Sequence, residues 1–179
     1  MPTVLTHPVV AIALAPWWRP RIGARLIAAG VLCTVLPDID TLGRHLGIDA
    51  MTLPHRGPTH SLAFAAIVAV SLAVLGRAAW RNISPTSAAF FLFACLGSHG
   101  LLDMATDGGP GIALLWPLSD AQLFLPWRPI EVSPLDAGRF FGPRGLHVLA
   151  SEFFWLWLPA LAIAAAGCWR RARRAQAPP

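Results

Sequence analysis

The sequence predicts an all-α integral membrane protein, a bundle of about five apolar helices with a polar cap loop. Three observations carry that expectation. Of 179 residues, 55% are hydrophobic and only 13% charged, with mean hydropathy +0.57, too apolar for an ordinary water-soluble domain and too short for two large ones. The apolar residues gather in long runs separated by Pro, Gly, Trp and Arg. The arginines cluster at alternate ends of those runs, as loops on one side of a bilayer require. The whole chain, residues 1–179, reads as a single membrane-embedded domain.

The first run, Leu5 to Trp18, has His7 near its start and ends in Trp17, Trp18, Arg19, Pro20 and Arg21, residue types that favour the headgroup level. It lacks the basic leader of a signal peptide and is expected to be retained. Ile22 to Leu36 forms a second helix, with Arg25 able to snorkel, and stops at Pro37-Asp38-Ile39-Asp40. A polar connection from Thr41 to Pro58 leads to Thr59 or Ser61, either of which can N-cap the third helix, Leu62 to Gly76. After Arg77 to Pro85 a fourth helix runs from Thr86 to about Ala105 and carries His99 and Asp103. Thr106 to Gly145 is a Gly/Pro-rich connection too long for a tight turn, hence a lid or a folded cap. The last helix, His147 to Trp169, carries Glu152 near its start and runs into Arg170-Arg171-Ala172-Arg173-Arg174.

Five crossings put the termini on opposite sides. With the C-terminus in the cytoplasm, Arg19, Arg21, Arg25, Arg77, Arg81, Arg170, Arg171, Arg173 and Arg174 lie inside without an acidic residue, while the other five arginines share the outer side with all nine acidic residues. The +5 net charge therefore reads as a cytoplasmic anchor, and no nucleic-acid partner is expected. His7, Asp38, Asp40, His55, His60, His99 and Asp103 all fall at the extracytoplasmic end. Cys33, Cys95 and Cys168 lie singly in apolar runs, which supports neither disulfides nor a thiolate site.

The polar run His55-Arg56-Gly57-Pro58-Thr59-His60-Ser61 between apolar stretches is costly unless it binds something. His99 and Asp103, four apart on a helix, project from one face. Asp38 and Asp40 flank Ile39 and can point the same way. Together with His60, His55 and His7 they form a nitrogen and oxygen donor set suited to zinc first, then manganese or iron. A single catalytic zinc takes three protein ligands and water, so up to seven candidates fit one or two ions, two better, with a bridging carboxylate and a metal-activated water. Arg56 is then free to neutralise a developing anion, and Glu152 either stays near the interface or serves as a general base. His45 and His147 read as structural histidines, and Asp107, Asp120 and Asp136 as solvated loop residues.

Thr6-His7, Leu36-Pro37-Asp38-Ile39-Asp40, the His55 to Ser61 run, Gly97-Ser98-His99 with Leu102-Asp103, and Leu115-Trp116-Pro117 together resemble the LexA-regulated, membrane-bound metal-dependent hydrolases, the YdjM-like family. The resemblance covers roughly residues 3 to 120. It implies a multi-helix bacterial inner-membrane protein with a metal-dependent hydrolase assignment, and it supports His7, Asp38, Asp40, His60, His99 and Asp103 as metal ligands. A more distant likeness, in fold and ligand type only, is to the all-helical zinc phospholipase C enzymes. The expected function is hydrolysis, phosphoester favoured, of a lipid or lipid-linked substrate in the bilayer. His55, Arg56 and Glu152 are the expected catalytic residues. The competing expectation is a non-enzymatic membrane protein that binds a metal ion, as a structural subunit or a carrier.

Overall fold

Proline and hydroxyl residues set where the helices begin and end. The computed structural model describes residues 1–18, 21–41, 55–134 and 137–176. Arg19, Arg44, His45 and Asp136, which figure in the expectations above, lie outside the described residues. Helix α1 is Pro8–Leu14, with proline in its first turn where no donor is lost, and it tightens into a 3-10 turn over Ala15–Trp17. Helix α2, Ala24–Val35, ends at Pro37 in the 3-10 turn Leu36–Asp38. A further 3-10 turn, Pro58–His60, leads into α3, Leu62–Leu75, and of the two expected caps it is Ser61 whose hydroxyl accepts from the Phe64 N–H at 3.1 Å. Helix α4, Pro85–Met104, is capped by Ser84, which accepts from Ser87 N–H at 3.2 Å. The short α5, Ala137–Phe140, precedes α6, Pro143–Ala175, which contains a π-helical turn at Phe153–Trp157.

The helices alternate in direction, and α4 is the hub. It packs on α3 and α2, while α1 packs on α2 and α6. Ala65, Ala69 and Ala73, each four residues on, form the buried face of α3, and Phe91, Leu92 and Cys95 of α4 meet Leu26 and Cys33 of α2 in the same core. Small residues at these contacts let helices approach where lipid gives no hydrophobic drive between them. The outward faces are apolar too, with Ile67, Val70, Phe90, Phe154, Leu161 and Ile163 exposed. A helix apolar on both faces belongs in a membrane.

Length qualifies the expectation of five crossings. Among the described residues, only α4 and α6 are long and apolar enough to cross a bilayer by themselves; Pro8–Trp17 and Leu62–Ala78 are shorter apolar helices. At 1.5 Å per residue the seven-residue α1 rises only about 10 Å, well short of a hydrocarbon core of about 30 Å. The last helix is longer than expected, starting at Pro143 and running through the arginines to Ala175.

The connection after α4 is a folded cap. Isolated bridges join Thr106 to Ile130 and Ile112 to Leu123, and Met104, Ile112 and Leu114 form a small second core with Leu62 and Leu123. Its outer surface is mixed: Asp120, Gln122 and Arg128 are exposed, and so are Leu118, at 92%, and Phe141, at 86%.

Candidate metal centre

The up-and-down course of the chain brings four helix ends together. His7 precedes α1, Asp38 follows α2, His60 precedes α3, and His99 and Asp103 occupy the last turns of α4. Three overlapping groups, His7–Asp38–His99, Asp38–His55–His60 and His60–His99–Asp103, each offer donor atoms within 4.8 Å of one another. Six of the seven expected donors are thus found at one end of the bundle, and the seventh, Asp40, stands against His55 and His60.

The centre of the cluster is a pair of nitrogens. His99 Nδ1 donates to the Thr34 carbonyl at 2.7 Å. His60 Nδ1 lies 3.0 Å from the Thr59 hydroxyl, which itself donates to Asp40 Oδ2 at 3.0 Å. These partners place the proton of each ring on Nδ1 and leave a lone pair on each Nε2. The two Nε2 atoms face each other at 3.1 Å. Asp38 Oδ1 is 3.4 Å from His99 Nε2 and 3.7 Å from His60 Nε2, and Asp103 Oδ2 is 3.8 Å from His60 Nε2. Ligands about 2.0–2.2 Å from a tetrahedral ion lie about 3.3–3.6 Å apart, so these spacings suit an ion held by the two imidazoles together with Asp38 or Asp103. His7 stacks on His99 with ring centroids 3.9 Å apart, its Nε2 3.7 Å from Asp103 Oδ1.

Three of the donors make no hydrogen bond, although Asp103 has the Arg56 guanidinium 3.4 Å away. Among the described residues, the buried side-chain polar atoms without a hydrogen bond are Trp80 Nε1, both nitrogens of His7, and both oxygens of Asp38 and of Asp103. Leaving such groups unpaired costs several kcal/mol unless a cation satisfies them. Burial holds His7 and His60, both in turns outside the helices, below the usual histidine range, so both rings are neutral at neutral pH, the form that binds metal. The residues present fit a divalent ion.

Gly100 makes the central pair possible. A Cβ there would stand 2.7 Å from the His60 carbonyl oxygen, so only glycine lets the Pro58–His60 turn press against α4 beside His99.

Asp40 sits one layer out. Its Oδ1 pairs with His55 Nδ1 at 2.8 Å, while Oδ2 accepts from the Arg56 backbone N–H at 3.2 Å and lies 3.4 Å from His60 Nδ1. A carboxylate behind a histidine in this way fixes the tautomer and raises the basicity of the ring.

Arg56 is not free for an anion. Its guanidinium is buried and donates to the carbonyls of Gly108 at 2.9 Å and Pro110 at 2.6 Å and to the Thr106 hydroxyl at 3.1 Å, with Nε 3.4 Å from Asp103 Oδ2. The residue adopts φ +66°, a left-handed conformation costing an L side chain about 1–2 kcal/mol. The Asp40 bond and the Ala113 N–H donated to its carbonyl at 3.0 Å hold it there.

Glu152 is also placed differently. Its carboxylate accepts from the backbone N–H and hydroxyl of Thr3 and from the Thr6 hydroxyl, and Trp157 Nε1 donates to Thr6 at 2.7 Å. It belongs to a buried latch between α6 and the segment before His7. Thr3, Thr34 and Gly100 had no part in the sequence expectation, and Thr59 entered it only as a candidate helix cap within the polar run. Of these, only Thr59, between two histidines, and Gly100, directly after one, offered a signal in their neighbours.

His147 and Asp120 are exposed, and Asp107 accepts from Val132 N–H at 2.7 Å. Trp17, Trp18 and Trp169 lie at the opposite end with the arginine run: Arg171 donates to the carbonyls of Ala15 and Trp18, both at 2.9 Å, and Arg173 stands over Trp169 at 4.2 Å.

Comparison with known proteins agrees with the membrane-type helical fold. Inner membrane protein YbcI of Escherichia coli (strain K12) is 39% identical over 173 residues, spanning 96% of this chain and 99% of that protein. No solved structure matches. The YdjM inner membrane protein family matches residues 1–177, and with a membrane-type helical bundle and nearly end-to-end similarity to an inner membrane protein, this chain belongs to that family.

Proposed function

We propose that the chain is a membrane-bound metal-dependent hydrolase acting on a lipid or lipid-linked substrate, with a phosphoester the favoured target and zinc the favoured ion, manganese or iron(II) suiting the same donors. The observation that carries this reading is the facing pair of His60 Nε2 and His99 Nε2, 3.1 Å apart with carboxylates on either side and no protein donor between them. Asp38, His60, His99 and Asp103 are the first ligand set, with His7 a further donor that, with Asp38, gives a second ion a place. When bound, the metal supplies Lewis acidity and an activated water.

The surrounding residues divide the remaining work. Asp40 orients His60 and His55 from behind. His55 and Asp38 are the members of the cluster that keep some exposure, 8% and 11%. With Nδ1 on Asp40, His55 can move a proton at Nε2 at the open edge of the site, the role of a general acid–base. Arg56 sets the position of Asp103, so preference for a phosphoester rests on the metal and not on a free guanidinium. Glu152 holds the N-terminal segment.

Purified protein should contain one to two transition-metal ions per chain, lost in His60→Ala or Asp103→Ala. Metal-loaded protein should turn over a member of a panel of phospholipids, lipid phosphates and phosphodiesters, and His55→Gln should lose turnover while keeping its metal. A metal-free wild type would overturn the reading. The complete burial of His7, His99 and Asp103 favours a second one, a structural ion; its mark is metal retained with no turnover on any substrate. Transport fits less well, because the far half of the α3–α4 contact is packed with Ala69, Ala73 and Ala88 and offers no second donor set.

A further inference from the structure

We infer that the metal cluster lies below the headgroup level of the bilayer, that the exposed apolar residues of the cap reach into lipid, and that the substrate is a bilayer amphiphile entering sideways past Asp38 and His55. The substrate part of this rests on the hydrolase reading above; the depth does not.

The depth follows from helix lengths. Charges at the arginine end must reach water or headgroups. Arg25, in the first turn of α2, is thirteen residues from Asp38, and Arg77, just past α3, is seventeen from His60, rises of about 20 and 25 Å. Trp18 Nε1 donates to the Ser87 carbonyl at 3.0 Å, which fixes the tryptophan belt one turn into α4, and His99 is about 18 Å above it. On α6 the Trp17 indole donates to the Ile163 carbonyl at 2.8 Å, and Glu152, level with the segment before His7, is about 16 Å higher. Four helices therefore agree on a height below a hydrocarbon thickness of about 30 Å, and any tilt shortens it further.

What lies above the metal is the cap, and large apolar side chains make up part of its exposed surface. Trp127 packs edge-on against Trp155 of α6 with ring centroids 4.7 Å apart, only about 12 Å above the level of Ile163. Trp116, Leu118, Leu125 and Phe141 of the cap are exposed, as is Leu146 near the start of α6. Through the Trp127–Trp155 contact the exposed Phe153, Phe154 and Trp155 of α6 are joined to the cap. Asp107, Asp120, Gln122, Arg128 and Arg139 are exposed on the cap as well and take its headgroup side, while the Gly108 and Pro110 carbonyls turn inward to accept from Arg56.

The test uses full-length chains carrying Cys168→Ser and one of Leu118→Cys, Leu125→Cys or Leu146→Cys, spin-labelled in vesicles of phosphatidylethanolamine and phosphatidylglycerol. Ile163→Cys on the lipid face of α6 and Gln176→Cys beyond the arginines serve as references. Oxygen, concentrated in lipid, should relax the cap labels as it does Ile163→Cys, and a water-soluble nickel chelate should relax them several-fold less than Gln176→Cys. Nickel relaxation equal to that at Gln176→Cys would overturn the inference. Side entry is read separately, by comparing a vesicle-borne phosphodiester with a soluble one of the same headgroup. Turnover confined to the vesicle supports it and equal turnover refutes it, whereas no turnover of either, with lipid-like relaxation, removes the hydrolase reading and leaves the depth standing.

Discussion

Gly100→Ala separates two effects of opposite sign. Helix propensity alone favours alanine in an α-helix interior by about 1 kcal/mol. At this position, however, the new Cβ stands 2.7 Å from the His60 carbonyl oxygen, with Leu114 Cδ1 at 3.4 Å and Ile112 Cγ2 at 3.6 Å closing the other sides. Cβ atoms essentially never approach under 3.0 Å, and ordinary contact begins at 3.4 Å, so the Pro58–His60 turn must withdraw by about 0.3–0.7 Å. Metal–ligand distances tolerate only about 0.2 Å. The withdrawal carries His60 Nε2 away from His99 Nε2, and metal affinity should fall about 10–100-fold, as when outer-shell support is lost, or about 1.4–2.7 kcal/mol. Gly97→Ala, one turn earlier, meets only Leu62 Cδ2 at 3.5 Å and is the control. Metal content by mass spectrometry and competition with a graded chelator series would measure both. Wild-type affinity in Gly100→Ala, or equal losses in both variants, would refute the steric argument and with it the facing-nitrogen site.

Other expectations follow from the same contacts. Arg56→Ala leaves Asp103 buried without its cation and frees the cap, so unfolding in detergent should show a loss of about 3–5 kcal/mol, with Arg56→Lys recovering only part of it because one ammonium cannot reach Asp103, Thr106 and two carbonyls together. Glu152→Ala strips the acceptor from Thr3 and Thr6 and should cost at least about 3 kcal/mol, at about 1–3 kcal/mol per buried unpaired donor, whereas Glu152→Gln should keep turnover within a few-fold; its abolition with metal retained would restore Glu152 as a general base. In the Cys168→Ser chain, Gln176→Cys should resist a membrane-impermeant maleimide in intact cells and react in inverted vesicles, and the reverse would place the arginine end outside.

Much of the site was readable because its chemistry contradicts its surroundings. An imidazole or carboxylate within an apolar run has few uses, and arginine placement alone was enough to gather the donors at one end. The arginine assignment failed because a guanidinium beside a metal set has two uses, and the choice depends on where the cap carbonyls of Gly108 and Pro110 arrive, some fifty residues away. Glu152 failed similarly: its partners, Thr3 and Thr6, are nearly the full chain distant. Helix starts at Ser61 and Ser84 were legible or nearly so because capping is local. The shortness of α1 was not, since Pro16 permits a tightened turn but does not dictate that the chain stops climbing. The apolar share of the cap surface was hidden because its exposed Leu118 and Phe141 are scattered singly along the sequence.

The π-helical turn at Phe153–Trp157 keeps the last helix in phase with its neighbour. Glu152 and Ala160 are both buried, yet at about 100° per residue in an α-helix, eight residues would leave them about 80° apart. Five residues at the wider π pitch, about 82° each, reduce that to about 10°, so one continuous stripe through Val148, Glu152, Ala160 and Gly167 meets the rest of the bundle. The extra residue is absorbed on the lipid side, among Phe153, Phe154 and Trp155. The wide turn is therefore a phase correction equal to one inserted residue. Deleting Phe154 should convert it to ordinary α-helix, keep the Glu152 latch and the Gly167 contact on one face, and leave a folded protein, whereas a deletion between Leu158 and Gly167 should rotate the arginine end away from Trp17 and Trp18.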